Sequence, residues 1–173
     1  MTRLPDWERR LVDFLASRRG QPHAWGTNDC AAFCAAAVFA LTGERPASHL
    51  DWSYRDEEGA ERLLEKVGGI DAECRKIFGE PVPVLQARRG DVLVGRGRLT
   101  RMDLVGLCLG PVAVSPGECA DFDTETKVRL RAQRAAREAG REPEPAPTRH
   151  GLQAVPQLVS MRLDRFDRAY RVG

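Results

Sequence analysis

Cys30 stands where a cysteine can become a nucleophile. Asn28 and Asp29 are helix-capping residue types, and the apolar run from Ala31 to Leu41 ends at Thr42 and Gly43, so Cys30 falls in the first turn of a helix. Unpaired backbone N–H groups and the macrodipole favour a thiolate there, and the Cys30 N–H itself is placed to serve an oxyanion. The position suits a packing role equally well, because cysteine is among the most buried residue types. Asp29 caps the helix whether or not Cys30 reacts.

Nucleophilic catalysis also needs a base within hydrogen-bond reach. His23 is the nearest histidine in sequence, seven residues before Cys30, and His150 closes a charged segment from which a returning strand can bring it back. His49, in a loop with Ala47 and Ser48, has less to recommend it. Trp52 and Tyr54 either line a groove or pack inward, and Cys34, one helical turn from Cys30, reads as core. The chain contains no Cys-x-x-Cys and no His-x-x-x-His, so neither a metal nor another cofactor is expected.

The elements that must hold these residues follow from periodicity and punctuation. Trp7, Leu11, Phe14 and Leu15 recur at helical spacing over residues 6–19, and the run after Asn28 makes a second, central helix small enough in side chain for close packing. Trp25 and Gly26 close the intervening loop over the first helix. Residues 58–67 and 70–78 read as short helices parted by Gly68 and Gly69. After a basic turn, Ala87 to Gly90, short strands are expected at 91–94, 104–109 and 112–114, with closing strands at 152–155 and 166–172. Helices first and strands second make an α+β domain with its helices packed on a small antiparallel sheet.

With 173 residues, 42% of them hydrophobic, the chain suits one domain, and 27 basic against 25 acidic residues leave a net charge of +2. That balance gives no bulk electrostatic reason for a nucleic-acid partner. The apolar run is too short to span a bilayer, the start lacks the pattern of a secretory signal, and five cysteines point to reduced thiols in a cytoplasm. Residues 118–149 are rich in arginine, poor in large apolar side chains and end in a Pro/Glu strut, an insertion that reads as a solvated excursion or an arm ordering against another protein.

Taken in order, Pro22-His23-Ala24-Trp25-Gly26-Thr27-Asn28-Asp29-Cys30-Ala31-Ala32-Phe33, Arg89-Gly90-Asp91-Val92 and Leu104-Val105-Gly106 resemble the NlpC-type cell-wall cysteine peptidases. With Thr42-Gly43, Gly151-Leu152 and Ala169-Tyr170-Arg171-Val172, the chain is most similar to an uncharacterised subfamily of phage and prophage tail gene clusters. The resemblance implies a papain-like fold over residues 1–173, apart from the insertion, with Cys30 as nucleophile and a histidine on the strand after the Gly-Asp-Val turn. That histidine position falls on Leu104, which can neither accept a proton nor pair with a thiolate. Leu104 and Cys108 share one strand face and are expected to fill the space opposite Cys30.

Three classes of function follow. The first is a catalytically impaired tail-tip component of a phage or gene-transfer-agent-like particle, made in the host cytoplasm, assembled into the virion tail and partnered by other tail proteins. The second is an active peptidase carried by a virion and acting on peptidoglycan, with Cys30 as nucleophile and His23 or His150 as base. A nucleic-acid module using the arginines of residues 129–141 is the third; it has a local patch without a motif.

Overall fold

The computed structural model describes residues 1–96, 103–120 and 154–173. The chain divides into two compact units, Met1–Glu118 with Pro156–Gly173, and Cys119–Val155. Most of the second, including His150 and nearly all of the charged 118–149 segment, lies outside the described residues.

Four helices come first. Helix α1 (Trp7–Arg18) buries Leu11 and Phe14 and is opened by Asp6, whose carboxylate accepts from Arg9 and Arg10 one turn on. Helix α2 (Cys30–Thr42) starts at Asp29, whose side chain accepts the Ala32 N–H, and stops at Gly43 in the left-handed conformation, φ 76°. Asp29, and not Asn28, is therefore the cap; the Asn28 amide is spent on the Pro22 carbonyl. Phe33, Ala37, Val38 and Leu41 are fully buried, while Phe39 on the opposite side is 41% exposed, so the helix is central without being enclosed all round. Cutting Leu41 to alanine should cost about 2–5 kcal/mol. Helices α3 (Glu57–Val67) and α4 (Ile70–Phe78) are divided by Gly68 and Gly69, both at positive φ, as their spacing predicts.

Among the described residues five antiparallel strands follow, β1 (Val92–Arg96), β2 (Asp103–Cys108), β3 (Val112–Ala120), β4 (Ala154–Arg162) and β5 (Arg168–Tyr170), in the order β4-β3-β2-β1-β5. The α+β class is thus as expected. Strands β3 and β4 are longer than the sequence suggests, running through Pro116 and Pro156. The register Val92↔Leu107, Val94↔Val105 and Val92↔Tyr170 puts these side chains on the helix-facing side, in one core with Phe33, Val38 and Leu41. The alternate residues Leu93, Cys108, Ala113 and Ala169, with Leu104 packed against them, form a second core with Phe166 on the other face. Glycine is required twice here: a Cβ at Gly95 would stand 2.2 Å from the Arg165 carbonyl oxygen, and one at Gly106 would stand 2.9 Å from the Phe166 ring.

The basic turn before β1 ties both ends of the chain together. Asp91 is fully buried and its carboxylate accepts from Arg3 at 2.9 Å, from the Arg88 N–H at 2.8 Å and from the Val172 N–H at 3.2 Å. Arg3 donates further to the carbonyls of Arg89 and Val172. One guanidinium thereby links the N-terminal segment, the turn and the last residues, which sets the sheet against α2.

Candidate functional site

Asp29 organises the neighbourhood of Cys30. It is 2% exposed, and besides capping α2 at 2.9 Å it accepts the Gly26 N–H at 2.6 Å and the Tyr54 hydroxyl at 2.7 Å. Gly26 must be glycine: its φ is 71°, and a Cβ would lie 2.3 Å from the Trp52 carbonyl oxygen and 2.7 Å from that of Tyr54. The 22–28 loop and the loop before α3 are thus pressed together over the start of α2. The Trp25 ring lies 6.5 Å from the Tyr54 ring, and the Trp52 ring lies 6.3 Å from it.

Beneath these aromatic residues is a cavity of about 50 Å³ that Cys30 lines, together with Trp25, Trp52, Tyr54, Glu73, Asp103 and Val105. Trp52 and Tyr54 therefore face a site, the alternative the sequence left open. Cys30 of α2 and Val105 of β2 line it together. The strand expected opposite Cys30 is indeed there, but the face is not the expected one: Leu104 and Cys108 pack among Leu93 and Phe166 on the far side of the sheet. Asp103 and Val105, one residue to either side of Leu104, are the ones that meet the cavity.

The Cys30 thiol is pushed up to about 11, first by burial and then by the adjacent Asp29 carboxylate. The N–H groups of Val105, Ala31 and Cys30 pull the other way and do not compensate, so the helix terminus fails to make this a thiolate. Burial and Asp29 raise the Tyr54 phenol as well, so that it remains a donor.

His23 packs edge-on against Trp25, ring centroids 4.8 Å apart, and does not line the cavity. His49 is turned to α4, where its Nε2 lies 2.8 Å from a Glu73 oxygen. Among the described residues, no histidine lines the cavity and no group of histidines, cysteines and carboxylates is arranged to hold a metal ion. None of their helices is long and apolar enough to cross a membrane. Sequence reasoning missed Glu73 and Asp103: the first sits in an ordinary amphipathic helix, and the second was hidden by the one-residue choice of strand face.

A model of a domain of unknown function, DUF6950, matches residues 2–137, most of the chain. No curated protein matches.

Proposed function

The chain belongs to the DUF6950 family, and we propose that it is a papain-like domain of the NlpC type serving as a tail-tip component of a phage or gene-transfer-agent-like particle, its hydrolase site kept in shape but impaired in chemistry. One observation carries the reading. Cys30 heads a buried helix against β2, the second strand after the Gly90-Asp91 turn, yet the residues of that strand lining the cavity with it are Asp103 and Val105. A carboxylate is far too weak a base to deprotonate a thiol raised to about 11, and valine is none at all. At neutral pH, far below that value, the thiol stays protonated. The tail-tip role is supported by the similarity to phage and prophage tail-cluster proteins, and such a role asks for a fold and partners, not for turnover.

Iodoacetamide alkylation of Cys30, followed by peptide mapping at a series of pH values, tests the chemistry. The expected rate rises about tenfold per pH unit up to pH 10. A plateau between pH 7 and 9 would reveal a tuned nucleophile and sink the proposal. For the assembly role, a tagged copy expressed in particle-producing cells should co-sediment with the particles; recovery only in the soluble fraction counts against it.

A second reading, an active peptidoglycan peptidase carried by a virion, is favoured by the place of Cys30 as the first residue of α2, where helix-terminal backbone N–H groups suit an oxyanion. It requires a base from outside the described residues, His150 being the candidate. Muropeptide cleavage abolished by Cys30→Ala would establish it.

A further inference from the structure

Helix α2 carries no charged side chain in any of its 13 residues, and a helix apolar all round belongs inside a fold. Its Phe33, Val38 and Leu41 side is covered, by α1 and by the sheet. The side carrying Ala32, Ala35, Ala36 and Phe39, spaced i, i+3, i+4 and i+7, instead lines an open groove of about 490 Å³. That volume lies within the roughly 300–1,000 Å³ of ligand clefts. Pro46 and Trp52, from the loop after the helix, line it too, and Cys30 does not.

Charge in the groove has one sign. Arg18, at the end of α1, and Arg45, just past α2, line it, and no aspartate or glutamate among the described residues does. Each guanidinium lies over an aromatic ring, Arg18 5.3 Å from the Phe14 centroid and Arg45 4.7 Å from that of Phe39. Among the described residues neither is ion-paired: Arg18 donates to the Gln21 side chain, and the acids nearest in sequence are engaged elsewhere. Glu44 lies 3.9 Å from the Met1 amino group, and Asp51 accepts the Ser53 N–H. A guanidinium stacked on a ring keeps its N–H edge for a carboxylate.

We propose that this groove docks an acidic segment of a partner protein, an apolar side chain lying on the alanine floor against Phe39 while flanking carboxylates pair with Arg18 and Arg45. Single-stranded nucleic acid also meets arginine beside aromatic rings, but it asks for a basic channel and a row of stacking faces. Here the floor is methyl groups, Trp52 is half-buried with its Nε1 given to the Ala47 carbonyl, and the chain's net charge is only +2. The inference goes beyond the tail-tip reading and does not rest on it, since the groove is built whatever assembly the protein serves.

The test is a ¹H–¹⁵N NMR titration of the full chain with acetyl-Glu-Glu-Leu-Phe-Glu-Glu-amide, a counterpart with glutamine for every glutamate, a counterpart with Ser-Ser for Leu-Phe, and an oligothymidylate. Saturable shifts at the Ala35, Ala36, Phe39 and Ser48 amides are expected with the first peptide, half-complete below about 1 mM. The glutamine and serine counterparts should each bind about tenfold more weakly, one lacking the charge and the other the apolar contact. Arg45→Glu, at an exposed position, should weaken the acidic peptide by at least about tenfold and flatten its dependence on salt. Phe39→Ser should weaken it by about fivefold; if that variant unfolds, Arg45→Glu and the peptide comparisons still decide. Equal binding of the glutamate and glutamine peptides, or of the Leu-Phe and Ser-Ser peptides, overturns the proposal, as does an absence of shifts up to about 10 mM. Tighter saturation of the same amides by the oligothymidylate overturns it in favour of nucleic acid. A dimer in analytical ultracentrifugation that Phe39→Ser dissociates overturns it in favour of a second copy of the chain.

Discussion

Replacing Asp29 should separate the scaffold of the site from its chemistry. In Asp29→Ala the helix loses its cap, worth about 1 kcal/mol. The Gly26 N–H and the Tyr54 hydroxyl lose a charged acceptor, at about 1.5 kcal/mol each even at the low end of such bonds. The sum, about 4 kcal/mol, is a large part of the roughly 5–15 kcal/mol that stabilises a domain. Asp29→Asn should cost less, about 2–3 kcal/mol, since Oδ1 can still accept from Ala32 while the new NH₂ opposes the Gly26 N–H. Tyr54→Phe alone should cost about 1.5 kcal/mol. Urea unfolding followed by far-ultraviolet circular dichroism measures each variant, and the Asp29→Asn, Tyr54→Phe double variant closes a cycle. Coupling of about 1 kcal/mol is expected for two groups bonded at 2.7 Å. Additive losses, or an alanine variant less than about 1.5 kcal/mol down, would mean that Asp29 does not join the two loops.

Strand face can be tested by moving a histidine. Leu104→His buries an imidazole among Leu93, Cys108 and Phe166, should destabilise by about 2–4 kcal/mol and should leave Cys30 alkylation unchanged; Asp103→His, at an exposed position lining the cavity, should fold normally and speed alkylation at neutral pH. Arg3→Met removes the guanidinium hydrogen-bonded to the fully buried Asp91, leaving it only the more distant Arg171 at 3.9 Å, and should lower stability by about 2–4 kcal/mol in urea titrations, toward the cost of breaking a buried pair. Partial burial opposes ionisation of Asp71, but hydrogen bonds from Tyr170, Arg168 and Arg75 outweigh it and hold the carboxyl below its ordinary value. That stabilisation is present above the unfolded-state value of about 4 and fades as pH falls through the lower folded one. Asp71→Asn should flatten the stability profile below pH 4, and an unchanged slope there would refute the assignment.

Much of the scaffold was legible because it is written in short-range signals. The 3.6-residue spacing of Trp7, Leu11 and Phe14, and the glycines at 43, 68 and 69, act within a few residues of themselves, and the helices begin and end where they say. The first expected strands also sit where the apolar runs fall. Their extent does not: the expected strands stop at 114 and 155, and proline donates no ladder hydrogen bond, yet β3 and β4 run through Pro116 and Pro156.

The site was legible as a place and not as a chemistry. Cys30 at the start of α2, with Asp29 beside it and β2 across from it, follows from capping and from motif order. Which β2 residues face the sulfur does not, because a shift of one residue turns a whole strand over, and only the pairing of β1 with β2 and the packing of Phe166 against Gly106 choose between the faces. A helix terminus by itself favours a thiolate; burial beneath Trp25, Trp52 and Tyr54 and a carboxylate next door reverse the sign. Glu73 looked like any solvated helix residue until α4 was packed against the loop before α3. Sequence by itself determined where the helices run and which cysteine heads the central one, since those depend on neighbours a few residues away. Strand face, desolvation and the company of a buried carboxylate were decided only by the tertiary structure, because each is set by groups tens of residues distant in the chain.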